Sequence, residues 1–213
     1  AMGDDTTASG SRSTAMGDDT TASGSRSTAM GDDTTASGSR STAMGDDTTA
    51  SGSRSTAMGD GTTASGSRST AMGKSTTASG GHSSAMGLYT TASGALSTAM
   101  GYFTTASDYA SVVIGQFNSS GSSVTNSATI FSTSNTAFVI GNGADSSNKS
   151  DAFKVLFNGD ATVSNDLTVS GDVVISSDAR LKSNIVSLGS TLPKLLQIDG
   201  KSYEMKGKQK IGV

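Results

Sequence analysis

AMGDDTTASGSRST, residues 1–14, returns letter for letter at Ala15, Ala29 and Ala43. The fourteen-residue period runs on to about Ser107, as seven full copies and the start of an eighth, with Met2, Met16, Met30, Met44, Met58, Met72, Met86 and Met100 in phase. Repetition at a fixed short period marks an array in which each unit buries its faces only against its neighbours. Substitution is confined to two slots. Asp4-Asp5 becomes Asp60-Gly61, Lys74-Ser75, Leu88-Tyr89 and Tyr102-Phe103, while Ser11-Arg12 becomes Gly81-His82 and Ala95-Leu96, and the preceding pair Gly10-Ser11 becomes Asp108-Tyr109. Those slots are expected to be turns.

Between the slots lie STAMG and TTASG, short stretches rich in Thr and small residues, each closed by Gly. Both read as short strands ending in turns. A helix is excluded, because apolar positions do not recur at three and four and Gly, Thr and Ser are poor helix formers. Fourteen residues therefore suit one coil of two strands and two turns. Coils stacked at about 4.8 Å make residues 1–107 a rod about 35–40 Å long. The expected class is all-β, a parallel β-solenoid.

Composition sets the energetic problem. Of 213 residues 33% are apolar and 15% charged, too few apolar groups for an ordinary globular core and too little charge for a disordered chain. One Met and two Ala per coil cannot balance the entropy of ordering fourteen residues, so several chains are expected to share one core. The Met column, the only bulky aliphatic position, is expected to be core or inter-chain seam.

Other classes fall away. With no cysteine, disulfide frameworks and cysteine-based metal or nucleophile sites are out. The net charge of −3 conceals nine Asp against five Arg in residues 1–70 and seven Lys or Arg against three acids in residues 178–213. Neither block is a nucleic-acid footprint. No apolar run approaches the roughly 18 residues of a membrane span. Ala1 lies inside the repeat, so a longer polypeptide is expected.

STAMG followed by TTASG resembles the head repeat of trimeric autotransporter adhesins of the YadA type. The resemblance implies a left-handed parallel β-roll, three rolls forming a homotrimeric fibre at the cell surface or outside the cell. SVVIGQFN at 111–118 and FVIGNG at 138–143 are similar to further, more apolar coils. Expected boundaries are a shaft at 1–107, degenerate coils with a capping loop at 108–150, and a β-rich neck at 151–176. In the neck, Asn158-Gly159 signals a type I′ hairpin, and DLTVSGDVVIS alternates as slender strands with Leu167 and Val169 on one face.

From residue 177, SDARLKSNI, LPKLLQI, KSYEMK and IGV resemble the start of the C-terminal intramolecular chaperone of phage tailspikes, tail fibres and endosialidases. The resemblance implies a small α+β unit at 177–213, with LPKLLQI as a short helix, that holds three chains in register and is then cut away. It also implies a self-cleaving dyad of Ser177 and Lys182, the lysine activating the serine hydroxyl. No external substrate and no cofactor are implied. Register matters physically, because a slip of fourteen residues among identical coils costs almost no complementarity.

Each remaining feature carries two readings. Asp4, Asp5, Asp18 and Asp19 are either solvated turns compensated by Arg12 and Arg26 of other chains or calcium chelators. The Thr columns serve β-propensity or form a hydroxyl array for ice or glycan. His82 reads as a solvated turn residue. Leu88, Tyr89, Leu96, Tyr102, Phe103 and Tyr109 form an adhesive patch for a cell-surface or glycan receptor or the next segment of an end-to-end filament, or they are capped by residues 116–137. The functional expectation is a structural and adhesive extracellular fibre. The alternatives are a virion tail fibre and an ice- or calcium-binding solenoid, and a monomeric solenoid would contradict the shared core.

Overall fold

The computed structural model describes residues 1–171, 201–205 and 208–212. Residues Ala1–Leu167 form one compact unit and Thr168–Val213 a second. Each repeat folds as one coil of a parallel β-solenoid. Its longer strand is Thr-Ala-Met-Gly-Asp, as in Thr42–Asp46, and its shorter one a Thr-Ala pair, as in Thr49–Ala50. Equivalent residues pair in register, Met44 with Met58 and Thr49 with Thr63, so the long strands build one sheet and eight short strands a second.

The space between the two sheets is filled by small side chains. Ala43, Ala50, Thr48 and Ser55 and their equivalents in neighbouring coils are almost completely buried. Side chains alternate across a strand, so burying Ala43 turns Thr42 and Met44 outward. The Met column is therefore not the core of the chain. Met16 is 39% exposed, and alanine fills the interior. Each Ser of the Ser55 column satisfies itself locally, as Ser55 Oγ donates to the Gly52 carbonyl at 2.7 Å.

The turn slots need a smaller correction. STAMG is not closed by its glycine: Gly45 lies inside the strand at φ 131°, and its place allows no side chain, because a Cβ there would stand 1.9 Å from the Gly59 carbonyl oxygen. The first variable pair straddles strand and turn. Asp46 ends the strand, while Asp47 (φ 47°) and, in the second turn, Arg54 (φ 60°) take the left-handed conformation.

One column of the interior is unbalanced. The Oγ1 atoms of Thr20, Thr34, Thr48, Thr62, Thr76, Thr90 and Thr104 are buried without a hydrogen-bond partner. A buried hydroxyl left unpaired is costly, and an apolar group of the same shape removes the cost. Thr48→Val is expected to raise stability by about 1 kcal/mol, whereas Ser55→Ala, which deletes a satisfied hydroxyl, is expected to lower it by about as much. Denaturant midpoints of the two variants check this.

Beyond the repeats the roll continues as the more apolar sequence predicts. Val112–Gln116 stacks on the last repeat, and Thr136–Asn142 stacks on it in turn, pairing Ile114 with Ile140 and Gly115 with Gly141. Here the spacing grows to twenty-six because residues 117–135 leave the coil as a loop. Val113 and Val139 take the interior place of alanine and are fully buried.

Asp151–Leu156 then adds antiparallel to the long-strand sheet and pairs with Ala161–Val163. The hairpin is present but its turn is not type I′, since Asn158 has no positive φ. Gly159 alone does (φ 93°), with Gly159 N–H donating to Leu156 O and Leu156 N–H to Asp160 O. That is a three-residue loop with a bulge glycine. Of the expected neck strands, Asn165–Gly171 form no strand and Leu167 and Val169 are exposed, while residues 172–176 lie outside the described residues. In the second unit Lys201–Met205 pairs antiparallel with Lys208–Gly212. LPKLLQI lies outside the described residues.

Candidate functional surfaces

The outward face of the long-strand sheet carries two columns, Thr and Met, from Thr14 and Met16 upward. From Met30 to Met100 the methionines are half-buried, and Ile114 and Ile140 extend the column once the repeat degenerates. An apolar ladder one residue wide and nine coils tall is thus left on the surface of a roll whose interior holds only small side chains.

The two turn columns form the opposite edges of the roll. On the first-turn edge the aspartates stack at about the inter-strand spacing of 4.8 Å. Asp19 has its carboxyl held above the usual range, first by partial loss of water and then by the charges of Asp18, Asp5, Asp33 and Asp32. Lys74 ends this acidic run by pairing with Asp60 at 2.5 Å, the one ion pair among the described residues, and that bond raises the lysine above its ordinary value. On the other edge Arg12, Arg26, Arg40, Arg54 and Arg68 stack without acidic partners, and exposed His82 accepts from Arg68 Nη1 at 3.1 Å.

Among the described residues no three His, Asp or Glu side chains gather as a metal group, Asp4, Asp5, Asp18 and Asp19 included. The Thr columns are also divided. Thr20 and its equivalents are buried, and only the neighbouring Thr21 series faces out from the short strands.

The apolar turn residues split between the two edges. Tyr89, Phe103 and Phe117 stand on one edge as a stair, ring centroids 4.5 and 4.9 Å apart and nearly parallel, with Tyr102 edge-on to the last two. The stair borders a groove of about 320 Å³ that Ser146 and Lys149 also line. Leu88 and Tyr102 lie beside it on paired strands. Leu96 and Tyr109 occupy the other edge. Phe117 was legible in principle, because it falls fourteen residues after Phe103 and so keeps the phase of the slot.

The loop does cap the roll. Ala95 and Tyr109 N–H groups donate to Ala128 and Ser127 carbonyls, while Leu96 stays 48% exposed. Buried Asp108 clamps the loop, its carboxylate accepting from the N–H groups of Thr125 at 2.6 Å and Thr136 at 2.7 Å. Buried Asn118 imitates one more short strand, accepting from Thr105 N–H and donating to its carbonyl. Ser177 and Lys182 lie outside the described residues.

A stacked two-strand coil with in-register columns defines a repeat β-solenoid. YadA head domain repeats match residues 1–20, 8–34, 22–48, 36–62, 64–90 and 92–118, together more than half the sequence. The chain belongs to the family built on that head repeat. Residues 177–213 match the chaperone of endosialidase. No curated protein matches the chain. Head repeats followed by such a chaperone are the make-up of a trimeric adhesin or fibre, a type that works at the cell surface or outside the cell. Among the described residues no helix is long and apolar enough to cross a membrane.

Proposed function

We propose that the chain is one third of a homotrimeric extracellular fibre, structural and adhesive, with shaft, degenerate coils, neck and chaperone divided as at 1–107, 108–150, 151–176 and 177–213. The observation that carries this is the half-buried Met column. Coils whose interior is alanine in all but the last two gain little by folding alone, and turning three Met columns to a common axis supplies the missing apolar burial. The chaperone match at 177–213 supports the same reading, since identical coils need something outside themselves to set register.

Within the chaperone, Ser177 acts as the nucleophile and Lys182 as the base that takes its proton, in a single self-cleavage near Ser177. Wild-type chains are expected to show two pieces by intact mass, and Ser177→Ala one uncut chain. Cleavage that persists in the variant removes the dyad and leaves the fibre.

Tyr102 and Phe103, packed on the buried ring of Phe117 and close to Lys149, are the adhesive surface, exposed rings being suited to a glycan or an apolar receptor loop. The chaperone match favours one second reading, a virion tail fibre with the same architecture. Genes for tail structural proteins beside this one select it, and genes for secretion machinery select the cell-surface fibre.

A further inference from the structure

Along the roll the two edges change character in step. In the first five coils one edge carries Asp4-Asp5, Asp18-Asp19, Asp32-Asp33, Asp46-Asp47 and Asp60, and the other carries an Arg in every coil from Arg12 to Arg68. At the sixth coil the residues are Lys74 and His82, and at the seventh both edges are apolar, with Leu88-Tyr89 on one and Leu96 on the other. Within one chain these edges have no reason to agree. They lie at opposite ends of the strands, and among the described residues no ion pair joins them. The capping loop accounts for Tyr109 but leaves Leu96 exposed.

Unlike charge against unlike charge, and apolar against apolar at the same height, is what a head-to-tail contact between copies requires. We propose that in the trimer the Asp edge of each roll lies against the Arg edge of the next copy, closing a ring of three, and that the apolar seventh coil sets the axial register. This rests on the trimer reading above. Three flat rolls with their Met faces toward one axis make the walls of a triangular prism, and each corner then brings two unlike edges together. A slip of one coil keeps most Asp–Arg matches, but sets Leu96 against Lys74 or Leu88 against His82. Leu88, Tyr89 and Leu96 thereby belong to the seam, and the adhesive surface lies above it, at Tyr102 and Phe103 of the eighth coil.

The chain has no cysteine, so introduced ones report cleanly. Full-length Arg40→Cys/Asp33→Cys and each single variant are treated with a bis-maleimide shorter than the roll's width, about 16 Å for a five-residue strand. The double variant is expected to yield covalent trimers, and the singles none. Reversing one edge (Arg26, Arg40 and Arg54 to Glu) is expected to dissociate the trimer at low salt. Reversing the other as well (Asp18, Asp32 and Asp46 to Arg) is expected to restore it. Double-cysteine chains that link no better than the singles, while light scattering still finds trimers, overturn the edge pairing alone. A monomeric wild type overturns the trimer reading and the pairing with it.

Discussion

Gly45→Ala is expected to unfold the roll or cost it more than about 3 kcal/mol, read as a loss of strand signal or a collapse of the denaturation midpoint. Two independent penalties fall on the same methyl group. The backbone at φ 131° is one that L side chains rarely adopt, and the added Cβ would stand 1.9 Å from the Gly59 carbonyl oxygen and 2.9 Å from its carbon. Those atoms are backbone of the next coil, so relief requires two coils to separate and their ladder to break. Gly61 provides the contrast. It has φ 61°, a left-handed turn position where the first four coils hold Asp, and its nearest contact for a Cβ is Ser75 Oγ at 3.5 Å. Gly61→Asp is expected to change stability by less than about 0.5 kcal/mol, since Asp tolerates that conformation.

Met44→Glu is expected to leave the single roll folded and abolish the trimer. In the chain alone Met44 is half-buried and faces outward, so a carboxylate there remains in water. At a shared axis the same substitution places three carboxylates together without partners, and an uncompensated buried charge costs about 3–5 kcal/mol. Met44→Ile is the matched control, because Ile114 and Ile140 already hold this column where the repeat degenerates. The variant with Glu should sediment as single chains with its strand signal intact, and the variant with Ile should remain assembled. A Glu variant that stays trimeric moves the seam off the Met face.

Much of this was legible in the letters. The period of fourteen, the two strands per coil and the stacked turn slots follow from repetition and from the placement of Gly, Thr and Asp. The inside and outside of the long strand did not. Thr-Ala-Met-Gly-Asp alternates equally well either way, and side-chain size argues for Met inward. What decides is which face the closed coil turns inward: Ala43 is fully buried and Met44 only half-buried, and closure is a property of the whole coil rather than of the strand.

Gly45 was misread for a related reason. A glycine beside Asp suggests a turn, whereas here the constraint comes from Gly59 one coil away and not from the local chain. Asp108 looked like one more variable turn residue, and its clamp on Thr125 and Thr136 exists only because the loop at 117–135 returns to it. The dyad of Ser177 and Lys182 rests on motif resemblance and the matched chaperone, since both residues lie outside the described ones.

The most direct test of the account is the absolute mass in solution of the Ser177→Ala chain, measured by light scattering at low and high salt. The account predicts three times the chain mass of 21.1 kDa, falling toward one chain when Met44→Glu is added. A folded particle of 21.1 kDa in the Ser177→Ala protein itself would contradict it, for the roll would then stand on its alanine core alone.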